Sequence, residues 1–399
     1  MNFLDFLAGP VIKNRPIRHG IILSLILIVG VLLFATSVRS EFVPAPDSDE
    51  PVIMEPEPDN NEPDPEPDDD EDYPEPEPLP EREPRPDLEL DSFSPLTGLP
   101  MNEAIAKHRP LAIVLSNVPE AMPMNGVSEA DILYEYLVEG GITRMLAIYQ
   151  DFYYVKLAGS IRSARHYTVE IAESYDAILL CAGRSPLAAT EMRNRDVPVL
   201  NEVEGPNREV FWRNRNRVGG QRYSSLHAVV TSGERVTHWL PTYNFRTEHK
   251  NDYEHGLVFT DDGTPSGGSR AEEVTVRFSA GKTTSFAYNS TSGVYTVRQF
   301  NRNFVDGNDN SSPEFTNVIV MKTSVTALAG DDSDRRDIKT TGSGEGYYIN
   351  GGRYVEIEWH RHDKSDPFMY TLKDGTELEL GRGKTFIAII PTNMSATFS

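Results

Sequence analysis

The segment "GSIRSAR", Gly159–Arg165, gathers Arg162, Ser163 and Arg165 into one short loop of small residues. A second segment, "AGRSP", adds Arg184 and Ser185. Each leads into a helical pattern. In "SARHYTVEIAESY" the residues Tyr167, Ile171 and Tyr175 recur near helical spacing, and Ser163 is the expected cap. In "RSPLAATEMRNR" Ser185 is the expected N-cap, with Pro186 at the first helical position. Helix starts present free N–H groups and a positive dipole, which attract anions. Guanidinium groups add paired donors suited to phosphate or carboxylate. The pattern predicts that both loops meet at one end of a sheet and hold an anionic group. The chain also offers carboxylates for the same arginines. "ADILYEYLVEGGITRMLAIYQDF" reads as a hairpin turning at Gly140-Gly141, with a helix opening at Ser128 and Asp131 as the competing reading. The hairpin register sets Glu139 against Ile142, Leu137 against Arg144 and Glu135 against Leu146. Glu135, Glu139 and Arg144 then share a face, where the acids can tie the arginine loops to the hairpin.

These loops need a scaffold. "RPLAIVLSN", "DAILLCAG" and "VPVL" are short apolar runs that read as buried strands, and a last helix starts at Thr231 or Ser232 and runs through Trp239. Strands alternating with helices predict an α/β or α+β first domain over residues 92–256. From Glu272 the pattern becomes successive strands, with Asn350-Gly351 and Asp374-Gly375 as turn dipeptides. A mainly antiparallel β second domain over 272–393 follows. Its "GSGEG", Gly342–Gly346, lacks a following helix and reads as a turn rather than a phosphate loop. His360 and His362 share a strand face, yet two histidines do not make a metal site. The basic stretch "FWRNRNRVGGQR", Phe211–Arg222, reads as a solvated loop.

Several of these segments, in this order, resemble the YerB-like lipoprotein family of bacteria, a two-domain family of unknown function. They are "SPLTGLP", "RPLAIVLSN", "SEADILYEYLVEGGITRMLAIY", "GSIRSAR" and "YDAILLCAGRSP", then "NVIVMKT" through "GSGEGYYINGGRYVEIEW" to "GRGKTFIAIIP". The likeness spans roughly Ser94 to Pro391. It implies an envelope protein and no particular substrate, reaction or cofactor. Members carry a lipidated cysteine after the signal peptide, which this chain lacks. Where the family tends to have histidine-alanine-glycine-glycine-serine-proline, this chain has Cys181–Pro186, "CAGRSP". A proline-histidine-asparagine-leucine block is altered to "YSSLHAVV". Any chemistry of those family histidines is therefore in doubt here.

Charge and hydropathy bound the setting. The 399 residues carry a formal net charge of -23, and Glu41–Asp91 alone holds 22 acidic and two basic residues. Residues 39–91 are a Pro/Asp/Glu-rich linker that cannot bury enough apolar surface to fold. The remainder is only mildly acidic, so nucleic acid is not an expected partner. Cys181 is the single cysteine, which excludes an intrachain disulfide and a cysteine-based zinc cluster. Its apolar surroundings predict a buried small hydrophobe. Gly20–Val38 is uncharged and apolar over 19 residues, enough to cross a hydrocarbon core of about 30 Å. Lys13, Arg15 and Arg18 precede it, which keeps residues 1–19 cytoplasmic and exports the rest. A signal peptide cut near Ala35 or Ser37 is the rival reading.

The expectation is a single-pass protein of the cell membrane whose bulk is extracytoplasmic, without a cofactor. It would act as a binding or scaffold module with an arginine-lined anion site: Arg144, Arg162, Arg165 and Arg184, with Ser163, Ser185, Glu135 and Glu139. The expected partner is an anionic wall polymer or an envelope protein. The alternative is a hydrolase or transferase acting on the wall, for which Ser163, Ser185 and His227 could be grouped as a triad.

Overall fold

The computed structural model describes residues 76–79, 87–205 and 208–399. The predicted membrane span at 20–38 and most of the linker lie outside the described residues. Among the described residues no helix is long and apolar enough to cross a membrane.

Fourteen strands carry the architecture. In chain order they are β1 Leu111–Asn117, β2 Ile132–Leu137, β3 Thr143–Tyr149, β4 Ile178–Cys181, β5 Val199–Asn201, β6 Glu273–Arg277, β7 Thr283–Asn289, β8 Val294–Gln299, β9 Asn317–Thr323, β10 Gly342–Asn350, β11 Arg353–Arg361, β12 Met369–Leu372, β13 Thr385–Pro391 and β14 Ala396–Phe398. Three longer helices accompany them among the described residues: α1 His166–Ser174, α2 Pro186–Asn194 and α3 Gly233–Trp239, besides a single turn of helix at Glu103–Ala106. Shorter strands and turns complete the fold.

One 11-stranded sheet forms the spine, in the order β11-β10-β9-β13-β2-β3-β1-β4-β5, with β12 and the dipeptide Ser269–Arg270 also paired to β11. Strand β13 is the seam. It runs parallel to β9 on one side and parallel to β2 on the other, with Thr385 opposite Ile132 and Ile389 opposite Tyr136. The sheet thus passes without interruption from the first segment of the chain into the second. The second segment is otherwise largely antiparallel, as its pattern predicts.

Both faces of this sheet are covered, which explains the unbroken apolar runs of β1, β3 and β13. One face carries Leu111, Ile113, Leu133, Met145 and Phe386, packed against Val276, Phe286 and Val297 of a second sheet ordered β8-β7-β6-β14. Phe386 meets Phe286 edge-on at 4.9 Å between centroids. The other face carries Val114, Tyr134, Tyr136 and Ile148, covered by Tyr167 and Ile171 of α1 and Ala188 of α2. Cys181 lies fully buried on that side, and burial pushes its thiol up to about 12. It is an inert core residue, as its context predicts.

Two turns differ from their predicted form by one residue. The β2–β3 connection is a three-residue turn, Glu139–Gly141, with both glycines at positive φ. Val138 donates to Ile142 O across its base. The pairing is therefore Tyr136 with Arg144 and Glu135 with Met145. The β10–β11 turn is likewise Gly351-Gly352, both at positive φ, rather than Asn350-Gly351. "GSGEG" is not a turn. It opens strand β10, and a Cβ on Gly346 would sit 2.4 Å from the Val320 carbonyl oxygen.

Candidate functional site

The two arginine loops do converge. Ala164 N donates to Gly183 O at 3.0 Å, Ser185 N to Ala164 O at 3.1 Å and Ala182 N to Arg162 O at 3.1 Å. This pairing keeps the chain extended through Ala164, so α1 starts later than predicted. Its N-cap is Arg165, not Ser163. The Ser163 hydroxyl instead donates to Ala182 O at 2.8 Å, joining the loops. The second loop matches its expected form: Ser185 Oγ accepts from Ala188 N at 3.2 Å, with Pro186 beginning α2.

Glu139, at the tip of the β2–β3 hairpin, is the hub of this region. Arg144 Nη2 donates to its Oε1 at 2.9 Å. Arg165 reaches both oxygens, Nη2 to Oε1 at 2.6 Å and Nε to Oε2 at 3.2 Å. Arg144 and Arg165 are both buried. Arg162 makes no salt bridge among the described residues; its Nη1 donates to Leu226 O at 2.6 Å. Arg184 pairs with Glu204, Nε to Oε2 at 2.6 Å. So two guanidinium groups, those of Arg144 and Arg165, hold a single carboxylate, and Arg162 senses its charge without touching it.

The titration of these groups reports the imbalance. Burial, then the Arg165 charge, pushes Arg144 down to about 9, against the pull of Glu139. Burial alone would raise the Glu139 carboxyl, but Arg144 and Arg165 outweigh it and hold it at about 2. A carboxyl depressed from 4.5 stabilises the fold fully above about pH 4.5, and that contribution is lost as pH falls toward 2. Urea denaturation between pH 6 and pH 2.5 should therefore show acid destabilisation that Glu139→Gln lacks. At neutral pH the same variant should cost on the order of 2 kcal/mol. Identical pH slopes for both proteins would refute this account.

Glu135 does not belong to the cluster. The one-residue difference in register turns it to the opposite face from Arg144. There, fully buried, it anchors a network that joins the two sheets. Its Oε1 accepts from Asn117 Nδ2 at 2.9 Å and Thr143 Oγ1 at 2.8 Å, and pairs with Lys282 Nζ at 2.9 Å. Its Oε2 accepts from Thr284 Oγ1 at 2.7 Å and Gln299 Nε2 at 3.0 Å. Lys282 is itself buried; it also donates to Gln299 Oε1 and to Thr284 Oγ1. Its ammonium lies 4.6 Å from the centre of the Phe300 ring.

Residues 96–239 match the N-terminal domain, and 274–387 the C-terminal domain, of the family described as "Protein of unknown function (DUF3048)". The two matches together take in more than half of the chain. The chain belongs to this family. It is similar to "Putative lipoprotein YerB" of Bacillus subtilis (strain 168), at 28% identity over 324 residues, 79% of this chain and 91% of that protein. It is also similar to the crystal structure of YerB protein from Bacillus subtilis, with a TM-score of 0.64 at 25% identity, covering 76% of this chain and 99% of that one. The β13 seam and the Glu135–Lys282 pair both join residues from the two DUF3048 segments.

Beside the hairpin tip, a cavity of about 430 Å³ is lined by Asn117, Pro119, Gly140, Ile142, Lys282 and Phe300, among others. A second, of about 470 Å³, shares Pro119 and Phe300 and extends past Gln299 to Arg302 and Gln221. The arginines of the converging loops line neither. Sequence reasoning singled out Glu135 but not Lys282, Asn117, Thr284 or Gln299. The periodic burial of Thr284 and Phe286 in "TTSFAYN" was the available signal; that the lysine before that strand also turns inward was not legible. The basic stretch 211–222 is also better anchored than a solvated loop. Arg217 Nε donates to Asn125 Oδ1 at 2.9 Å, and its guanidinium stacks 3.4 Å from the Tyr223 ring centre. Arg215 Nε donates to Tyr223 O. Backbone carbonyls and an aromatic face take up charge that the sequence suggests is left to water.

Proposed function

We propose that this DUF3048 protein is a membrane-anchored, extracytoplasmic module of the bacterial envelope. It binds an anionic wall component at the face formed by the "GSIRSAR" loop and the β2–β3 hairpin tip. The lipoprotein name of its Bacillus subtilis relative supports the envelope setting, and the apolar span at 20–38 supports export. The carrying observation is the excess of guanidinium groups over carboxylates: Arg144 and Arg165 share Glu139, while Arg162 has no carboxylate partner among the described residues. An incoming phosphate or carboxylate would supply the missing charge and accept Arg162 in a bidentate mode. Ser163 and Ser185, which a hydrolase would need as nucleophiles, spend their hydroxyls on a loop carbonyl and a helix cap. The binding reading is accordingly preferred to the wall hydrolase or transferase.

Arg162→Glu is the cleanest test, because Arg144 and Arg165 also hold the hairpin. Binding of poly(glycerol phosphate) to the exported part of the protein should weaken about tenfold or more in this variant, as expected for loss of a charge-assisted contact. Its dependence on salt should become shallower. Unchanged affinity and salt slope, in a variant with native thermal stability, would refute the site.

A further inference from the structure

Glu135, Lys282 and Gln299 bring an acid, an amine and an amide together away from the arginine face. All three are buried, at 0%, 4% and 2% exposure. Lys282 Nζ pairs with Glu135 Oε1 at 2.9 Å and donates to Gln299 Oε1. Gln299 Nε2 donates to Glu135 Oε2 at 3.0 Å. One carboxylate thus holds the amine with one oxygen and the amide nitrogen with the other. Thr284 Oγ1 lies 2.7 Å from Glu135 Oε2 and 3.2 Å from Gln299 Oε1, within reach of the amide carbonyl. Phe300 and Phe278 shield the ammonium, with ring centres 4.6 and 6.0 Å away.

Acyl transfer to an amine needs these parts in this arrangement: a nucleophile at the carbonyl, a proton carrier spanning nucleophile and leaving group, and a donor to the carbonyl oxygen. The backbone holds both reactants in place. Phe278 N and Ser279 N donate to Lys282 O, and Gln299 sits opposite Thr284 in the β7–β8 ladder. The amide carbon is one bond, about 1.2 Å, from the oxygen that Lys282 already touches. Reactants fixed this close have little entropy left to lose on the way to reaction.

We infer that Lys282 and Gln299 join in an intramolecular amide bond, with Glu135 as the catalytic residue. The ion pair is the unreacted state. Lys282 Nζ passes a proton to Glu135, and the free amine attacks Gln299 Cδ while Thr284 Oγ1 donates to the carbonyl oxygen. The Nζ–Cδ bond forms and the Cδ–Nε2 bond breaks. Glu135 delivers one proton to the departing nitrogen, which leaves as ammonia, and takes a second from Nζ. The product is a neutral amide beside a neutral carboxylic acid, and no oxidant, reductant or co-reactant enters. Buried charges are costly, so exchanging an ion pair for two neutral groups favours the product. Lys282 and Gln299 border the two cavities beside the hairpin tip, which give ammonia an exit. Asn117 is less suited as the acyl donor. Its Nδ2 meets Glu135 on Oε1, the oxygen that holds the ammonium, and the Lys282 hydrogen bonds run to Gln299 and Thr284 instead. In a chain whose single cysteine excludes an intrachain disulfide, this bond would tie the second sheet covalently where it meets Glu135 of the spine.

The test is the intact mass of the full-length protein, followed by peptide mapping. The folded wild-type protein should weigh less than its sequence by one ammonia. Trypsin should release Phe278–Arg298, uncut at Lys282, as a branch on Gln299–Arg302, in place of the three separate peptides Phe278–Lys282, Thr283–Arg298 and Gln299–Arg302. Glu135→Gln, shown to be folded by near-ultraviolet dichroism, should keep the full mass and yield the three peptides. The wild-type measurement decides the matter even if that variant does not fold. Full sequence mass in the folded wild-type protein, a branch on Asn117 rather than Gln299, or a branched peptide from Glu135→Gln would each overturn the inference.

Discussion

Lys282→Met is expected to destabilise the protein by about 3–5 kcal/mol, among the largest effects of any single side-chain change in this fold. The reason lies in what the substitution leaves behind. Glu135 is fully buried between two sheets and receives Lys282, Asn117, Thr143, Thr284 and Gln299. Removing the ammonium strands a carboxylate in a region of low dielectric, where only neutral donors remain. The penalty is thus chiefly that of an uncompensated charge rather than the net worth of the pair. This distinction is measurable. Glu135→Gln removes the charge while keeping an amide able to meet the same hydroxyls, so the double variant Glu135→Gln/Lys282→Met should be more stable than Lys282→Met alone. Urea denaturation of the four proteins in a double-mutant cycle gives the coupling directly. Simple additivity of the two changes would mean that the two charges do not sense one another, and the network as described would be wrong.

The register of one hairpin decides which carboxylate does what, and there the sequence reading reached its limit. Strand β2, strand β3 and a glycine turn between them are all evident in "ILYEYLVEGGITRMLAIY". The turn takes three residues rather than two, and a shift of one residue exchanges the faces of every side chain on a strand. Glu139 stays with Arg144 and Arg165 because it sits in the turn itself. Glu135 moves to the other side of the sheet, away from the arginines and onto Lys282. Alternation could not arbitrate, since both faces of these strands are buried and both read as apolar. The convergence of "GSIRSAR" with "AGRSP" was expected from their shared pattern, but strand connectivity does not deliver it: β3, before the first loop, runs antiparallel to β1, and β4, before the second, runs parallel to it. The loops meet because residues 150–158 lead the chain back to the other end of the sheet, where Ser116 N donates to Ser160 O and Arg162 N to Val114 O. The Asn117–Lys282–Gln299 constellation was hidden because it gathers on Glu135 from distant parts of the chain, Gln299 from 164 residues away, and none of its members belongs to a local motif.

A chain ending at Lys384 should not fold. The deletion removes β13, in which Phe386, Ile387, Ala388, Ile389 and Ile390 are all essentially inaccessible to solvent. Four of these are large apolar side chains. At about 1.5–3 kcal/mol apiece their burial amounts to on the order of 10 kcal/mol, similar to the entire stability of an ordinary domain. The loss also opens two ladders at once, leaving β2 and β9 as facing edges without a strand between them. The expected result is loss of near-ultraviolet dichroism and of any cooperative urea transition. A chain ending at Thr392 is the control. It keeps β13 and sacrifices only β14, an edge strand paired to β6, so it should retain a cooperative transition at lower urea. If the shorter chain unfolds cooperatively, the sheet does not depend on its seam. If it does not, neither DUF3048 segment holds its site alone: the hairpin that carries Glu135 and Glu139 takes its place in the sheet only when a strand more than 240 residues later closes against it.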